Sequence, residues 1–136
     1  MHSVSVLVDG DNLKSGHADD ILSIASKYGK LDVVRVYLNA QKRSKWQDAA
    51  HFRPLHAGTG KNAADIVLAL DALELFLSQD FCRFVIASSD RDFRHIATRL
   101  REQGATVIGI GEKKAPAAFW AACSEFVELG AAADVY

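Results

Sequence analysis

The chain has 136 residues, 49% of them hydrophobic and 24% charged, with a formal net charge of −1. That length fits one domain with a sizeable core, and the near-neutral charge excludes a global basic field, so any nucleic-acid contact must come from a local patch. No apolar run is long enough to span a bilayer, and the residues before the first strand are too few for a signal peptide, so a cytoplasmic protein without membrane contact is expected.

In chain order, a first strand over 3–8 (Val4, Val6, Leu7, Val8) stops on Asp9-Gly10-Asp11-Asn12. A helix beginning near 17–20 follows, with Asp19 or Asp20 as cap and Ile21, Leu22, Ile24, Ala25 and Tyr28 as its buried face. Gly29 ends it in a left-handed conformation. The second strand, 31–38, is almost continuously apolar, as suits a parallel strand buried on both faces. The basic segment 39–45 then carries Lys42, Arg43 and Lys45, with Trp46 after it. A solvated loop is the ordinary reading of such a run. The functional reading is a set of phosphate contacts with Trp46 as a stacking platform for a base.

A short helix over 45–51 and a weak strand over 52–56 come next. Ala57-Gly58-Thr59-Gly60-Lys61 fails the phosphate-loop pattern, because Leu55 stands where its first glycine belongs and Asn62 where Ser or Thr should follow the lysine. Gly109-Ile110-Gly111 fails the dinucleotide fingerprint, because Lys114 occupies its third glycine position. A helix over 62–78 shows an apolar stripe of Ile66, Val67, Ala69, Leu70, Leu73 and Phe76 or Leu77. Asp65 in its first turn is either a dipole-favoured carboxylate or a metal ligand, and ranks above Asp71 for that role. The fourth strand, 82–87, stops on Ser88-Ser89-Asp90-Arg91-Asp92-Phe93. A helix over 93–103, a strand over 106–110, a loop holding Glu112, Lys113 and Lys114, a short helix over 117–122 and a last strand over 125–129 complete the domain, residues 1–130. The Ala-rich tail 131–136 reads as a linker. Cys82 and Cys123 lack zinc-ligand spacing and are expected as reduced thiols.

Strands alternating with helices predict an α/β fold: a parallel sheet between two helical layers, with right-handed crossovers. Ligands of such sheets bind at the carboxyl ends of the strands. Two strands here end there in paired acids, Asp9 with Asp11 and Asp90 with Asp92. Short polar residues at helix starts are ordinary caps. Gathering acids at one edge, however, is repulsive, and a hard divalent cation such as Mg²⁺ or Mn²⁺ offsets that repulsion.

Taken together, Val8-Asp9-Gly10-Asp11-Asn12, Lys61-Asn62-Ala63-Ala64-Asp65 and Ser88-Ser89-Asp90-Arg91-Asp92-Phe93 resemble the NYN domain family, also called LabA-like or DUF88, of the PIN-like nuclease superfamily. The resemblance covers essentially the whole chain. It implies a Rossmann-like three-layer sheet with core strand order 3-2-1-4-5 and an acidic Mg²⁺ or Mn²⁺ pocket. It also implies that Asp9, Asp65, Asp90 and Asp92 are metal-binding and catalytic, that Asn12 matches the family asparagine, and that Ser89 adjoins the acidic pair. The family usually has glycine where this chain has Ser89. The expected activity is metal-dependent hydrolysis of RNA, with Asn12 and Ser89 orienting water or phosphate. Lys42, Arg43, Lys45, Trp46, Lys61 and Arg91 are the expected contacts to single-stranded RNA, and a homodimer is left open. Two alternatives stand beside this: a phosphatase of the haloacid-dehalogenase kind, with Asp9 as nucleophile and Asp11 as general acid, and a module that binds RNA or protein without turnover.

Overall fold

A computed structural model describes residues 2–39, 44–60 and 62–130. The predicted strands are present as β1 (Ser3–Asp9), β2 (Lys30–Leu38), β3 (Arg53–His56), β4 (Arg83–Ala87), β5 (Thr106–Gly111) and β6 (Glu125–Glu128). The helices are α1 (Ala18–Ala25), α2 (Ala63–Ser78), α3 (Arg94–Glu102) and α4 (Ala117–Ala122). All strands pair in parallel in the order β3-β2-β1-β4-β5-β6, which contains the expected core order and adds β6 at one edge. Lys42, Arg43, Lys61 and the tail 131–136 lie outside the described residues. No helix among the described residues is long and apolar enough to cross a membrane.

The core divides according to the pleat of β1. Val4, Val6 and Val8 point to one face and pack with Ile21 and Ala25 of α1, Trp46 and Val85. Leu7 points to the other and packs with Leu68 of α2, Phe84, Ile86, Leu100 of α3 and Phe119 of α4. Each large apolar side chain fully buried in this way contributes about 1.5–3 kcal/mol. Because side chains alternate along a strand, Asp9 falls on the same face as Leu7, the face that α2 covers.

Four expectations are corrected. The buried face of α2 is Ala64, Leu68, Ala72 and Leu75, whereas Ile66, Leu70 and Leu77 are 58%, 60% and 72% exposed. This helix is apolar almost all round, so its periodicity does not select a face; the two alanines let it lie close to the sheet. Neither Asp19 nor Asp20 caps α1. The chain enters through a 3-10 turn, Ser15–His17, and both acids sit in the first helical turn, where the dipole favours them. Gly29 has φ 150° and ψ −162°, outside the left-handed helical well. A Cβ there would lie 2.2 Å from the His2 carbonyl oxygen, so glycine is required for steric reasons as well. In β2 only Val36, Tyr37 and Leu38 are fully buried, because β3 is four residues long and flanks β2 only from Arg35 to Leu38. Both edge strands are short: β3 contains Pro54, and β6 begins and ends on glutamate.

Candidate functional site

The strand order reverses direction between β1 and β4, so the loops after these neighbouring strands diverge and open a crevice at their carboxyl ends. Asp9 ends β1 and is 1% exposed. Gly10 follows it, where a Cβ would lie 2.5 Å from Leu38 and 2.7 Å from Val36, so the turn after Asp9 packs directly onto β2. Asn12 then folds back and donates from Nδ2 to Asp9 Oδ2 at 2.6 Å. On the neighbouring strand, the Ser88 N–H extends the β5 pairing by donating to the Ile110 carbonyl at 2.9 Å. The Ser88 hydroxyl donates to the same Asp9 Oδ2 at 2.8 Å and accepts the Asp90 N–H at 3.0 Å. Asp90 Oδ1 accepts the Asp92 N–H at 2.9 Å and so caps the 3-10 turn Arg91–Phe93. The capping role and the site role therefore coexist in Asp90.

Asp65 comes from the helix that covers this face, in the first turn of α2. One carboxylate oxygen from each of Asp9, Asp65 and Asp90 falls into a group whose members lie within 4.8 Å of one another. Two unit charges about 5 Å apart repel by about 3 kcal/mol at an effective dielectric of about 20. Burial and, after it, that repulsion both disfavour the charged form of these carboxyl groups. Burial pushes Asp9 above its ordinary range, against the hydrogen bonds from Asn12 and Ser88, and the charges of Asp11 and Asp90 push it further. Asp65 is pushed up to about 7 by burial, by the charges of Asp9 and Asp90, by its hydrogen bond with Asp90, and by the charge of Asp92. Asp9 Oδ1 is buried and has no hydrogen-bond partner. Such an oxygen is costly to bury bare, and a hard cation satisfies it; oxygen donors are the set that Mg²⁺ and Mn²⁺ take.

Of the other expected site residues, Asp92 is exposed and stands outside the group of three, acting on it through its charge. The hydroxyl that touches Asp9 belongs to Ser88, whereas Ser89 points its hydroxyl at Glu112 Oε1, 3.4 Å away. Alternation along β4 carries the signal for Ser88: it follows Phe84 and Ile86 on the α2 face, as Asp9 follows Leu7. Asp71 is occupied elsewhere, accepting from Arg35 at 3.1 Å and from the Tyr37 hydroxyl at 2.6 Å. Asp11 accepts the Asn39 N–H at 3.2 Å and does not join the group. Arg91 is exposed beside the acids.

Trp46 is not a stacking platform. It is 1% exposed, its indole N–H donates to the Leu13 carbonyl at 2.7 Å, and its ring meets Phe52 edge to face. Next to the acids, the loops after β1, before β3 and after β5 enclose an open cleft of about 910 Å³. Gly10 and Asn12 lie on its wall, together with Lys45 and with Lys14, Lys113 and Lys114, which the sequence does not mark out.

The family model for the NYN domain matches residues 3–130. An uncharacterized protein of Methanocaldococcus jannaschii is 27% identical over 114 residues, a stretch that covers 81% of this chain and 48% of that protein. The chain thus spans about half the length of that relative. The crystal structure of a protein of unknown function from Vibrio parahaemolyticus superposes with a TM-score of 0.76 over 96% of this chain and 94% of that one, at 18% identity. At that identity the likeness concerns the fold alone.

Proposed function

The chain belongs to the NYN domain family, and from that premise we propose that it is a metal-dependent ribonuclease that hydrolyses phosphodiester bonds of single-stranded RNA. The observation that carries the reading is the bare, buried Oδ1 of Asp9 within a group of three acids from three different segments. Asp9, Asp65 and Asp90 would hold one Mg²⁺ or Mn²⁺, with Asp92 beside them. Bound there, the ion supplies Lewis-acid polarisation of a phosphodiester and lowers the pKa of a coordinated water.

The residues of the chain have separate tasks in this reading. Asn12 and Ser88 hold Asp9 through Oδ2, which leaves Oδ1 for a ligand. Asp65 keeps a proton up to about pH 7 and must release it before all three carboxylates can act as ligands, so metal affinity should rise with pH through that region. Arg91, Lys45, Lys42, Arg43 and Lys61 are placed in this reading on the RNA backbone. A haloacid-dehalogenase phosphatase would need Asp11 as its general acid, but the Asp11 carboxylate is engaged by Asn39, and this favours the nuclease.

The test is cleavage of a labelled RNA panel with Mn²⁺, with EDTA as control. Wild type should cut and Asp90→Asn should not, while its RNA affinity stays equal or rises, because a charge that repels phosphate has gone. Equal background cutting by both proteins would end the nuclease reading and leave a binding module in its place.

A further inference from the structure

The sign of charge changes across a few residues of the carboxyl edge. Lys14, Lys45, Lys113 and Lys114 line the cleft beside the acids against only Asp11 and Glu112. This surplus of positive charge occurs on a chain whose formal net charge is −1. All four lysines are exposed, and among the described residues only Lys114 is in an ion pair, 3.6 Å from Glu112.

The backbone under these side chains is tethered. Trp46 anchors the segment bearing Lys45 to the Leu13 carbonyl, next to Lys14, and Leu13 is itself 3% exposed. Glu112, which precedes Lys113, lies between Ser89 at 3.4 Å and the buried His17 at 3.4 Å. Three loop segments tethered in this way therefore present exposed ammonium groups around one opening, Lys114 alone of the four being paired, with Glu112. Among the described residues, no arginine and no exposed aromatic side chain lines it, since Trp46 is turned inward. Lysine recognises phosphate as a point charge, without the planar fork of arginine, and without an aromatic surface there is nothing on which a base stacks.

We infer that this lysine cleft seats the sugar-phosphate backbone of the single strand on the side of β1 away from α2, contacting phosphates and not bases. The inference rests on the reading of the chain as a ribonuclease for its ligand class. It assigns Lys14, Lys113 and Lys114 a role and gives the bound strand a direction across the site: out of the acidic group, past Asn12, and into the cleft. Recognition there is independent of base sequence and strongly dependent on salt.

Binding in EDTA separates the cleft from the acids. The probes are a fluorescent oligouridylate and a matching oligothymidylate, titrated by anisotropy over a series of salt concentrations. Single-strand binding loses about 0.7 in the slope of log affinity against log salt for each phosphate contact removed. K113Q/K114Q should therefore flatten the slope by about 1.4 and weaken binding at low salt about tenfold or more. K113R/K114R should restore binding. K27Q/K30Q removes the same charge at the opposite edge of the sheet, where Lys30 begins β2, and should change neither quantity. Both oligonucleotides should bind comparably. Equal weakening by the two glutamine pairs, absence of binding by wild type, or affinity for only one sugar would overturn the inference. Cutting with Mn²⁺ is scored independently. A chain that binds through Lys113 and Lys114 but never cuts refutes the nuclease and leaves the cleft standing; one that cuts while its binding ignores those lysines refutes the cleft alone.

Discussion

Two neighbouring patches of one sheet edge are built by opposite means. On the side facing α2, the side chains are short, Asp9 is 1% exposed, and Asn12, Ser88 and Asp90 are linked to one another or to Asp9 by hydrogen bonds of 2.6–3.0 Å. On the other side, the backbone is tethered through Trp46 and Glu112, while the lysine side chains are exposed and, among the described residues, only Lys114 of the four is paired. Positional accuracy costs conformational freedom, and a metal-assisted reaction needs it, because a misplacement of an ångström is expensive. Holding a flexible polyanion needs charge density and tolerance. In the proposed reading, chemistry falls on the hydrogen-bonded side and affinity on the side whose charged ends are exposed.

The sharpest way to break this division is with metal. Mn²⁺ at about 100 times its dissociation constant stabilises the folded state by about 2.7 kcal/mol, which raises the melting temperature on the order of 10 °C in a domain of this size. Scanning fluorimetry should show that shift in wild type and in K113Q/K114Q, and none in Asp9→Asn. A shift that survives in Asp9→Asn places the metal elsewhere.

A smaller effect is expected from Ser88→Ala. It removes one donor from Asp9 Oδ2 and the acceptor of the Asp90 N–H, both buried or partly buried. Leaving such groups unpaired costs about 1–3 kcal/mol, read as a lower urea midpoint together with weaker Mn²⁺ binding. Ser89→Ala, whose hydroxyl faces Glu112, should leave Mn²⁺ affinity near that of wild type. Equal metal affinities for the two variants would remove Ser88 from the site.

The smallest effect is in pH. Asp65 is raised to about 7 in the folded chain from an ordinary 3.8, so between about pH 4 and pH 7 the folded state holds a proton that the unfolded state has lost. Metal-free stability from this group must therefore fall as pH rises through that window and level off above it; Asp9, also raised, acts in the same sense. Asp65→Asn should flatten the decline and be most stabilising, by a few degrees, above pH 7. K113Q/K114Q should leave the slope unchanged, and a slope insensitive to Asp65→Asn would show that the Asp65 carboxyl is not raised by burial and its acidic neighbours.

The fold was largely legible because β1, β4 and β5 are short, mainly apolar runs bounded by polar residues or glycine, and the family motifs supplied the strand order. The acids were legible for the same reason: Asp9 and Asp90 each stand at the point where a strand stops. Alternation along β4 also carried Ser88, but two adjacent serines before an acid look alike without the strand's phase. The face of α2 was not legible, since Ile66 and Leu70 are as apolar as Leu68, and only packing against the sheet distinguishes them. Trp46 follows a basic run and looks exposed, yet its position is decided by Leu13, 33 residues away. The lysine cleft is equally non-local: Lys14, Lys45 and Lys113 meet only because β1, β2 and β5 all run in the same direction.

The two short edges have a consequence of their own. An exposed strand flank is a template on which another molecule can polymerise its backbone, and long flat flanks invite fibres. Here each flank offers only four residues; Pro54 withholds an amide hydrogen on one, and Glu125 and Glu128 place like charges at both ends of the other. The sheet is thus closed to further growth without being closed into a barrel, and a concentrated solution of the folded chain has little strand surface from which to seed aggregation.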